Sequence, residues 1–214
     1  MAEHAAVAHQ FDDAEQQRAA VTLGMWVFLV QEVMFFGGAF CAYVAYRALY
    51  PDVFGHASHH LDVRLGTLNT AVLIASSLTM ALAVHAAESG RRGGTIAAWL
   101  VATMVLGAVF LGVKSFEYAH KFHEHLVPGP HFVYPGTDAP QAQLFFSIYF
   151  ILTGLHAIHM IIGEGLLLWL VRDALRGRYG AAYDAPVENV GLYWHFVDIV
   201  WIFLFPLLYL LGLH

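Results

Sequence analysis

The chain has 214 residues and a formal net charge of −6; 59% of its residues are hydrophobic and 12% are charged, and its mean hydropathy is +0.60. Soluble domains carry a charge at about a quarter of their positions, so this composition predicts an integral membrane protein. The single cysteine, Cys41, excludes an intrachain disulfide, and the absence of a basic cluster argues against a nucleic-acid partner.

Five apolar stretches are long enough to cross a bilayer, because about 20 helical residues rising 1.5 Å each cover its hydrocarbon core. They span residues 21–49, 65–87, 93–119, 144–171 and 189–213. The connectors are short and rich in turn-forming residues, which leaves no room for a soluble domain. The sequence predicts an all-α polytopic membrane protein: a polar tail over residues 1–20, then a five-helix bundle over residues 21–214.

The arginines predict how the bundle is oriented. One side of the membrane would carry Arg18, Arg91, Arg92, Arg172, Arg176 and Arg178; the other would carry Arg47, Arg64, Lys114 and Lys121. By the positive-inside rule, the amino terminus is cytoplasmic and the carboxy terminus lies outside. Arginines at cytoplasmic membrane ends, among them Arg172, are also suited to lipid phosphates, although ordinary snorkelling explains them as well.

The first span carries Glu32 close to the predicted midplane of the membrane. A carboxyl is costly there, so Glu32 is either a protonatable functional site or a hydrogen-bond acceptor for a neighbouring helix. Small residues, including Gly37, Gly38 and Gly107, predict close helix packing.

The third and fourth spans carry further polar residues. Lys114 and Glu117 have the spacing of an ion pair, which we expect at the membrane interface. His156 and His159 lie on one helical face, but two histidines are too few for a metal site, so hydrogen bonds between helices explain them better. Glu164 lies inside the fourth span and indicates either a water-filled crevice or a nearer membrane boundary.

The last span keeps His195 and Asp198 on one face, with Glu188 one or two turns before them. This polar stripe indicates pairing of His195 with Asp198, with a lipid or subunit contact as the alternative. Pro206 lacks an N–H group and predicts a loosened or kinked helix end.

Four blocks of the sequence resemble, in order, subunit III of the haem-copper terminal oxidases. They are WVFLVQEVMFFGGAF (26–40), FLGVKSFEY (110–118), FFSIYFILTGLHAIHMIIG (145–163) and YWHFVDIVWIFLF (193–205). Glu32 matches a family glutamate known for its reaction with a carbodiimide. Glu164 departs from the family pattern, and the chain lacks the first two helices of the seven-helix form, as five-helix bacterial members do.

The resemblance implies an accessory subunit that has no redox centre of its own. Haem and copper would belong to subunits I and II, and this chain would stabilise the catalytic subunit, bind phospholipid and support proton uptake in a bacterial inner membrane. The preferred complex is a cytochrome c oxidase, with a quinol oxidase as the alternative. Membership of a larger respiratory supercomplex is left open. An independent proton channel or transporter is the competing class; against it, the spans show no internal repeat. An intramembrane metalloenzyme would need ligands that the sequence does not supply.

Overall fold

The computed structural model describes residues 9–135, 138–180 and 183–210. These residues form α1 (Ala14–Leu49), α2 (Pro51–Ser58), α3 (Val63–Glu88), α4 (Gly93–His123), α5 (Ala139–Leu175), α6 (Ala185–Phe205) and a π-helical turn (Pro206–Leu210). Five of the helices, α1, α3, α4, α5 and α6 with its π-helical turn, are long and apolar enough to cross a membrane. The predicted all-α bundle with five spans is confirmed.

The helices extend beyond the predicted spans. Helix α1 begins at Ala14, because the side chain of Asp13 caps it by accepting a hydrogen bond from the backbone N–H of Gln16 at 2.7 Å. Part of the predicted polar tail is therefore helical, while residues 1–8 lie outside the described residues. The connector after the first span contains α2, and residues 211–213 of the predicted last span also lie outside the described residues.

Three helices end in the same hydrogen-bonded turn. After α3, the N–H of Arg91 donates to the carbonyl of Ala86 at 2.9 Å, and Gly90 adopts φ = 63°. Gly177 (φ = 72°) has the same position after α5, and His125 (φ = 55°) has it after α4. Glycine favours this left-handed conformation, so the ends of α3 and α5 could be predicted from their glycine-containing connectors. The end of α4 at His125 could not.

Helix α6 lies at the centre of the bundle because its tryptophans touch three other helices. The indole N–H of Trp194 donates to Ser76 Oγ on α3 at 2.7 Å. The ring of Trp194 fills the space beside Gly107 on α4 and Gly163 on α5, where any Cβ would overlap it. The prediction of close packing at Gly107 is therefore confirmed.

Trp201 repeats this arrangement two turns later. Its indole N–H donates to Thr70 on α3 at 3.1 Å, and its ring centroid lies 4.8 Å from that of Phe110 on α4 and 5.2 Å from that of His156 on α5. Both tryptophans are fully buried. Helix α6 therefore holds α3, α4 and α5 together.

Helix α1 is the least buried of the five spanning helices and packs mainly on α5 and α6. No described atom outside its own helix lies within 4 Å of a Cβ built on Gly37 or Gly38, and the same holds for Gly112 on α4. The predicted role of Gly37 and Gly38 in close packing within the bundle is wrong, because neither has a described neighbour that a Cβ would touch and Gly38 is exposed.

The end of α6 confirms the prediction for Pro206. The α-helix stops at Phe205, and the following five residues form the π-helical turn. Here the carbonyl of Leu207 accepts a hydrogen bond at 2.5 Å from the hydroxyl of Tyr43 on α1. The loosened helix end therefore joins the first span to the last.

Candidate functional site

Glu32 contacts His159 across the interface between α1 and α5. His159 Nε2 lies 3.2 Å from Glu32 Oε2, and the other ring nitrogen, Nδ1, lies 2.8 Å from the carbonyl oxygen of Leu155. Both side chains are nearly buried, with 10% of Glu32 and 13% of His159 exposed. The rings of Phe36 and Tyr193 pack against the imidazole.

This geometry determines how the pair handles protons. A carbonyl oxygen can only accept, so His159 Nδ1 carries a proton and donates it to Leu155. A hydrogen bond between His159 Nε2 and Glu32 Oε2 then requires one further proton between the two groups. The pair therefore joins two helices through a buried contact between a carboxyl and an imidazole.

His156 has different neighbours from His159. It is buried between the rings of Phe110 and Trp201, and neither of its ring nitrogens has a hydrogen-bond partner in the described part of the chain. The expected hydrogen bond between helices is found for His159 but not for His156. Over residues 9–135, 138–180 and 183–210, no three His, Cys, Asp or Glu side chains come together in a way that could hold a metal ion.

Lys114 and Glu117 form a buried cluster with Tyr149 on α5 and Tyr209 in the π-helical turn. Lys114 Nζ donates to Glu117 Oε2 at 2.9 Å, to the Tyr149 hydroxyl at 3.1 Å and to the Tyr209 hydroxyl at 2.9 Å. Both hydroxyls donate to Glu117 Oε1, from Tyr149 at 2.8 Å and from Tyr209 at 2.6 Å. We call these four residues the Lys114–Glu117 cluster.

The expected ion pair between Lys114 and Glu117 is present, and it is buried inside the bundle. Each residue is only 3% exposed, and the ammonium also lies 5.2 Å from the centroid of the Trp201 ring. Surrounding aromatic faces stabilise a desolvated cation, which an exposed site would not need. The spacing of Lys114 and Glu117 revealed the pair, but not that Tyr149 and Tyr209 enclose it.

His195 and Asp198 do not form the predicted pair. His195 Nδ1 lies 2.7 Å from Ser77 Oγ on α3. Asp198 is 4% exposed, and neither of its carboxyl oxygens has a hydrogen-bond partner within residues 9–135, 138–180 and 183–210. The Ser77 hydroxyl also acts as a hydrogen-bond donor toward the Asp198 carboxyl, although this contact falls outside ordinary hydrogen-bond geometry. The predicted pairing of His195 with Asp198 was wrong because Ser77, on α3, forms the hydrogen bond to the imidazole.

These three residues line an open furrow between α3 and α6, which has a volume of about 420 Å³. We call it the α3–α6 furrow; its lining residues are Thr70, Leu73, Ile74, Ser77, Leu78, Ala81, His195, Asp198, Ile199, Trp201 and Ile202. Sequence reasoning missed Ser77 because a serine within an apolar span has no pattern that identifies its partner.

Glu188 lines a shallow depression together with His195, but its ion-pair partner lies on another helix. It lies 3.3 Å from Arg18 Nη2, which also lies 3.3 Å from Asp184. This contact joins the beginning of α1 to the beginning of α6, at the end of the bundle predicted to be cytoplasmic.

Arg172 is exposed at the same end of the bundle and makes no ion pair with any described residue. Gly93, at the start of α4, packs directly against Ala174 and Gly177 at the end of α5. This contact brings Arg91 and Arg92, also exposed, to the region of Arg172.

Glu164 lies inside α5, where it contacts α4. Its Oε1 atom abuts Gly107 on α4 and has no hydrogen-bond partner among the residues that the structure describes. Its packing depends on Gly107, because any larger residue would occupy the same space.

Outside the spans, Lys121, Glu124 and His60 interact at the opposite end of the bundle. Lys121 Nζ lies 2.6 Å from Glu124 Oε2. Partial burial raises the pKa of Glu124, but the hydrogen bond and charge of Lys121 outweigh it, so the net pKa is lowered. Burial and, next, the Lys121 charge lower the pKa of His60.

These features define a multi-pass helical membrane protein whose buried polar side chains mostly connect its own helices. A family model described as cytochrome c oxidase subunit III matches residues 5–213. The chain is 34% identical over 207 residues to cytochrome c oxidase subunit 3 of Corynebacterium diphtheriae, which covers 92% of this chain and 95% of that protein. The chain therefore belongs to the cytochrome c oxidase subunit III family, the third subunits of haem-copper oxidases.

Its bacterial relatives carry two kinds of name. The chain is 31% identical over 201 residues to cytochrome c oxidase subunit 3 of Thermostichus vulcanus, over 94% of this chain and 92% of that protein. It is also 31% identical over 200 residues to quinol oxidase subunit 3 of Bacillus subtilis, over 89% of this chain and 87% of that protein. Family membership therefore indicates an oxidase complex but leaves its electron donor open.

Proposed function

We propose that this chain is the non-catalytic subunit III of a cytochrome c oxidase in a bacterial inner membrane. It stabilises the catalytic subunit, binds phospholipid and supports proton uptake during oxygen reduction, while subunits I and II hold the haem and copper. The observation that carries the proposal is the Glu32–His159 pair, a buried contact between a carboxyl and an imidazole that joins two spanning helices.

The polar contacts inside the bundle favour an accessory role. Glu32 and His159 face each other, and the members of the Lys114–Glu117 cluster satisfy one another. His156 and His159 face different neighbours and so do not form a shared ligand set. The contribution to proton uptake is indirect, because the proton pair lies in this chain while oxygen reduction takes place in another subunit.

Phospholipid binding is supported by the exposed arginines Arg91, Arg92 and Arg172. The contact of Gly93 with Ala174 and Gly177 brings the two helix ends that carry them together. Guanidinium groups bind phosphate bidentately, so this surface suits anionic headgroups. In the proposed orientation it faces the cytoplasm, and the carboxy terminus lies outside.

A quinol oxidase is the second candidate, because relatives with that name match the chain almost as closely as the cytochrome c oxidase subunits do. The two functions differ in the electron donor that the complex oxidises. The activity of the purified complex must therefore decide between the two.

The test is to purify the tagged chain from its own membranes in mild detergent and to quantify haem per chain. We expect haem-containing partner subunits to co-purify, and the complex to consume oxygen with reduced cytochrome c but not with a quinol. After separation from its partners, the chain should retain no stoichiometric haem or copper. Haem bound to the separated chain, or purification without any haem-containing partner, would contradict the accessory role; activity with quinol alone would select the second candidate.

A further inference from the structure

Helix α1 presents a second packing face to the outside of the bundle. Its buried residues, on the side that meets α5 and α6, are Leu29, Glu32, Phe36 and Tyr43. On the opposite side, exposed residues recur at alternating intervals of three and four, which is the spacing of a coiled-coil seam. They are Gly24, Val27, Gln31, Met34, Gly38, Cys41 and Ala45. We call this row the outer seam of α1.

Gln31 is the polar residue of the outer seam, and it lies deep in the membrane. Arg18 and Arg47, near the two ends of α1, are about 44 Å apart along the helix axis at 1.5 Å per residue. This distance matches a bilayer with its headgroups, which is about 40 to 45 Å thick. Gln31 is about 20 Å from Arg18 and about 24 Å from Arg47, so it lies close to the midplane.

The amide of Gln31 can be reached from outside the bundle. Its side chain is exposed and makes no hydrogen bond with any residue that the structure describes. Lipid chains cannot bind this amide, and an unsatisfied polar group in hydrocarbon is costly. The midplane is also too far from the headgroups for the side chain of Gln31 to reach them. The outer seam therefore needs a hydrogen-bonding partner that itself spans the membrane.

The residues around Gln31 allow such a partner to come close. Gly24 lies one heptad before Gln31 and Gly38 one heptad after it, and no described atom outside α1 lies within 4 Å of a Cβ built on either glycine. Small residues let the backbones of two spanning helices approach each other. A single polar residue among such positions fixes the register of the paired helices.

A second copy of the chain meets each requirement of the outer seam. A glutamine amide is both a donor and an acceptor, so two facing amides satisfy each other. Copies inserted in the same orientation are parallel, and a two-fold axis along the seam then places Gln31 of one copy opposite Gln31 of the other. Gly24 and Gly38 also meet their own counterparts. A different partner would need a polar residue of its own at the same depth.

We propose that α1 pairs with α1 of a second copy of the chain along the outer seam, and that the two Gln31 side chains hydrogen-bond to each other near the middle of the bilayer. This pairing joins two copies of the protein, which the proposed function does not require. Co-purification of haem subunits is a separate measurement, so this inference and the proposed function fail independently.

The test uses Cys41, the single cysteine of the chain, as a cross-linking probe. Cys41 belongs to the outer seam, so in a parallel pair it faces Cys41 of the second copy and the two can form a disulfide. Native membranes with the full-length chain at its normal expression level are treated with iodine, which oxidises two thiols to a disulfide within the bilayer. The matched control is Cys41→Ser/Val44→Cys, because Val44 is exposed at nearly the same depth but lies outside the seam.

We expect a product of twice the mass of the chain, in which mass spectrometry finds Cys41 linked to Cys41. Gln31→Leu should reduce this product about threefold or more, whereas Gln31→Asn should retain most of it, because only the asparagine keeps an amide between the helices. The Val44→Cys control should give about threefold less product or lower, since its cysteines face away from each other. Equal thermal melting of the purified variants would show that all of them fold.

Three results would overturn the proposal: no product of twice the mass, equal amounts from Cys41 and the Val44→Cys control, or a product that Gln31→Leu does not reduce. A disulfide from Cys41 to a different polypeptide, in place of the homodimeric product, would also overturn it and would assign the outer seam to that polypeptide.

Discussion

The Lys114–Glu117 cluster and the α3–α6 furrow both contain buried ionisable side chains, but these side chains differ in their hydrogen bonds. In the cluster, Lys114 and Glu117 bind each other and two tyrosine hydroxyls. In the furrow, Asp198 is as deeply buried but has no hydrogen-bond partner in the described parts of the chain. Burial alone therefore does not distinguish a carboxyl that is fully hydrogen-bonded from one that is not, whereas an account of hydrogen bonds does.

The same difference predicts how each site responds to substitution. Removing one member of a satisfied pair leaves an uncompensated buried charge, which is strongly destabilising. Removing a group that has no partner costs the isolated chain little.

The largest expected effect is that of Lys114→Met. This change leaves the Glu117 carboxylate buried without its counter-charge and should lower the free energy of unfolding by about 3 to 5 kcal/mol. Unfolding of the purified chain by detergent titration measures it. The double variant Lys114→Met/Glu117→Leu should recover a large part of the loss, and a double variant as unstable as the single one would show that the two charges do not depend on each other.

Next in size is the effect of Glu32→Leu, which removes the partner of His159 Nε2. We expect a loss of about 1 to 3 kcal/mol in the free energy of unfolding and a lower yield of the complex. Glu32→Gln keeps the size and the hydrogen-bonding capacity of the side chain, so the complex should assemble normally.

If the Glu32–His159 pair stores a proton, Glu32→Gln should lower proton release per electron over many turnovers in reconstituted vesicles, with the initial oxygen rate retained. Loss of that initial rate in a fully assembled Glu32→Gln complex would contradict the accessory role. An unchanged proton yield would show that Glu32 serves only as a structural hydrogen-bond acceptor.

A smaller effect is expected in the furrow. In the isolated chain, Asp198→Leu should be neutral or raise the free energy of unfolding by about 1 kcal/mol, because it removes an unsatisfied buried group. Since His195 contacts Ser77 and not Asp198, the effects of His195→Phe and Asp198→Leu should add to within about 0.5 kcal/mol. A clear departure from additivity in the double variant would instead show that His195 and Asp198 interact.

The smallest effect concerns pH at the other end of the bundle. The pKa of His60 is lowered in the folded chain, so the unfolded chain binds more protons as pH falls below about 6.5, and stability should decrease there. His60→Phe keeps the ring packing against Tyr134 and Phe146 and should weaken this dependence. Thermal melting of both chains between pH 5 and 8 measures the difference, and identical pH profiles would exclude His60 as its source.

The fold followed from the sequence more fully than the site did. Span length, glycine-rich connectors and Pro206 are local properties, so they predicted the five spans, two of the helix ends and the loosened end of α6. The position of α2 and the early start of α1 were missed, because short interfacial helices and capped polar turns carry little hydropathy signal.

The partners of the polar residues were harder to predict, because each depends on how separate helices align. The spacing within one helix correctly joined Lys114 to Glu117 but wrongly joined His195 to Asp198. The contact of Glu32 with His159 links residues far apart in sequence, so the hydropathy of the first span showed only that Glu32 needs a partner.

The hydrogen bond from Tyr43 to Leu207 has a consequence for biosynthesis. Helix α1 enters the membrane first, yet its main long-range contacts, which include Glu32 with His159 and Phe36 with Phe196, are with the last two spans. At about 5 to 20 residues per second, a ribosome needs about 10 to 30 s to reach these spans. Until α5 is made, Glu32 lacks its partner His159, so a chain that stops before α5 should expose its glutamate to the quality-control proteases of the membrane.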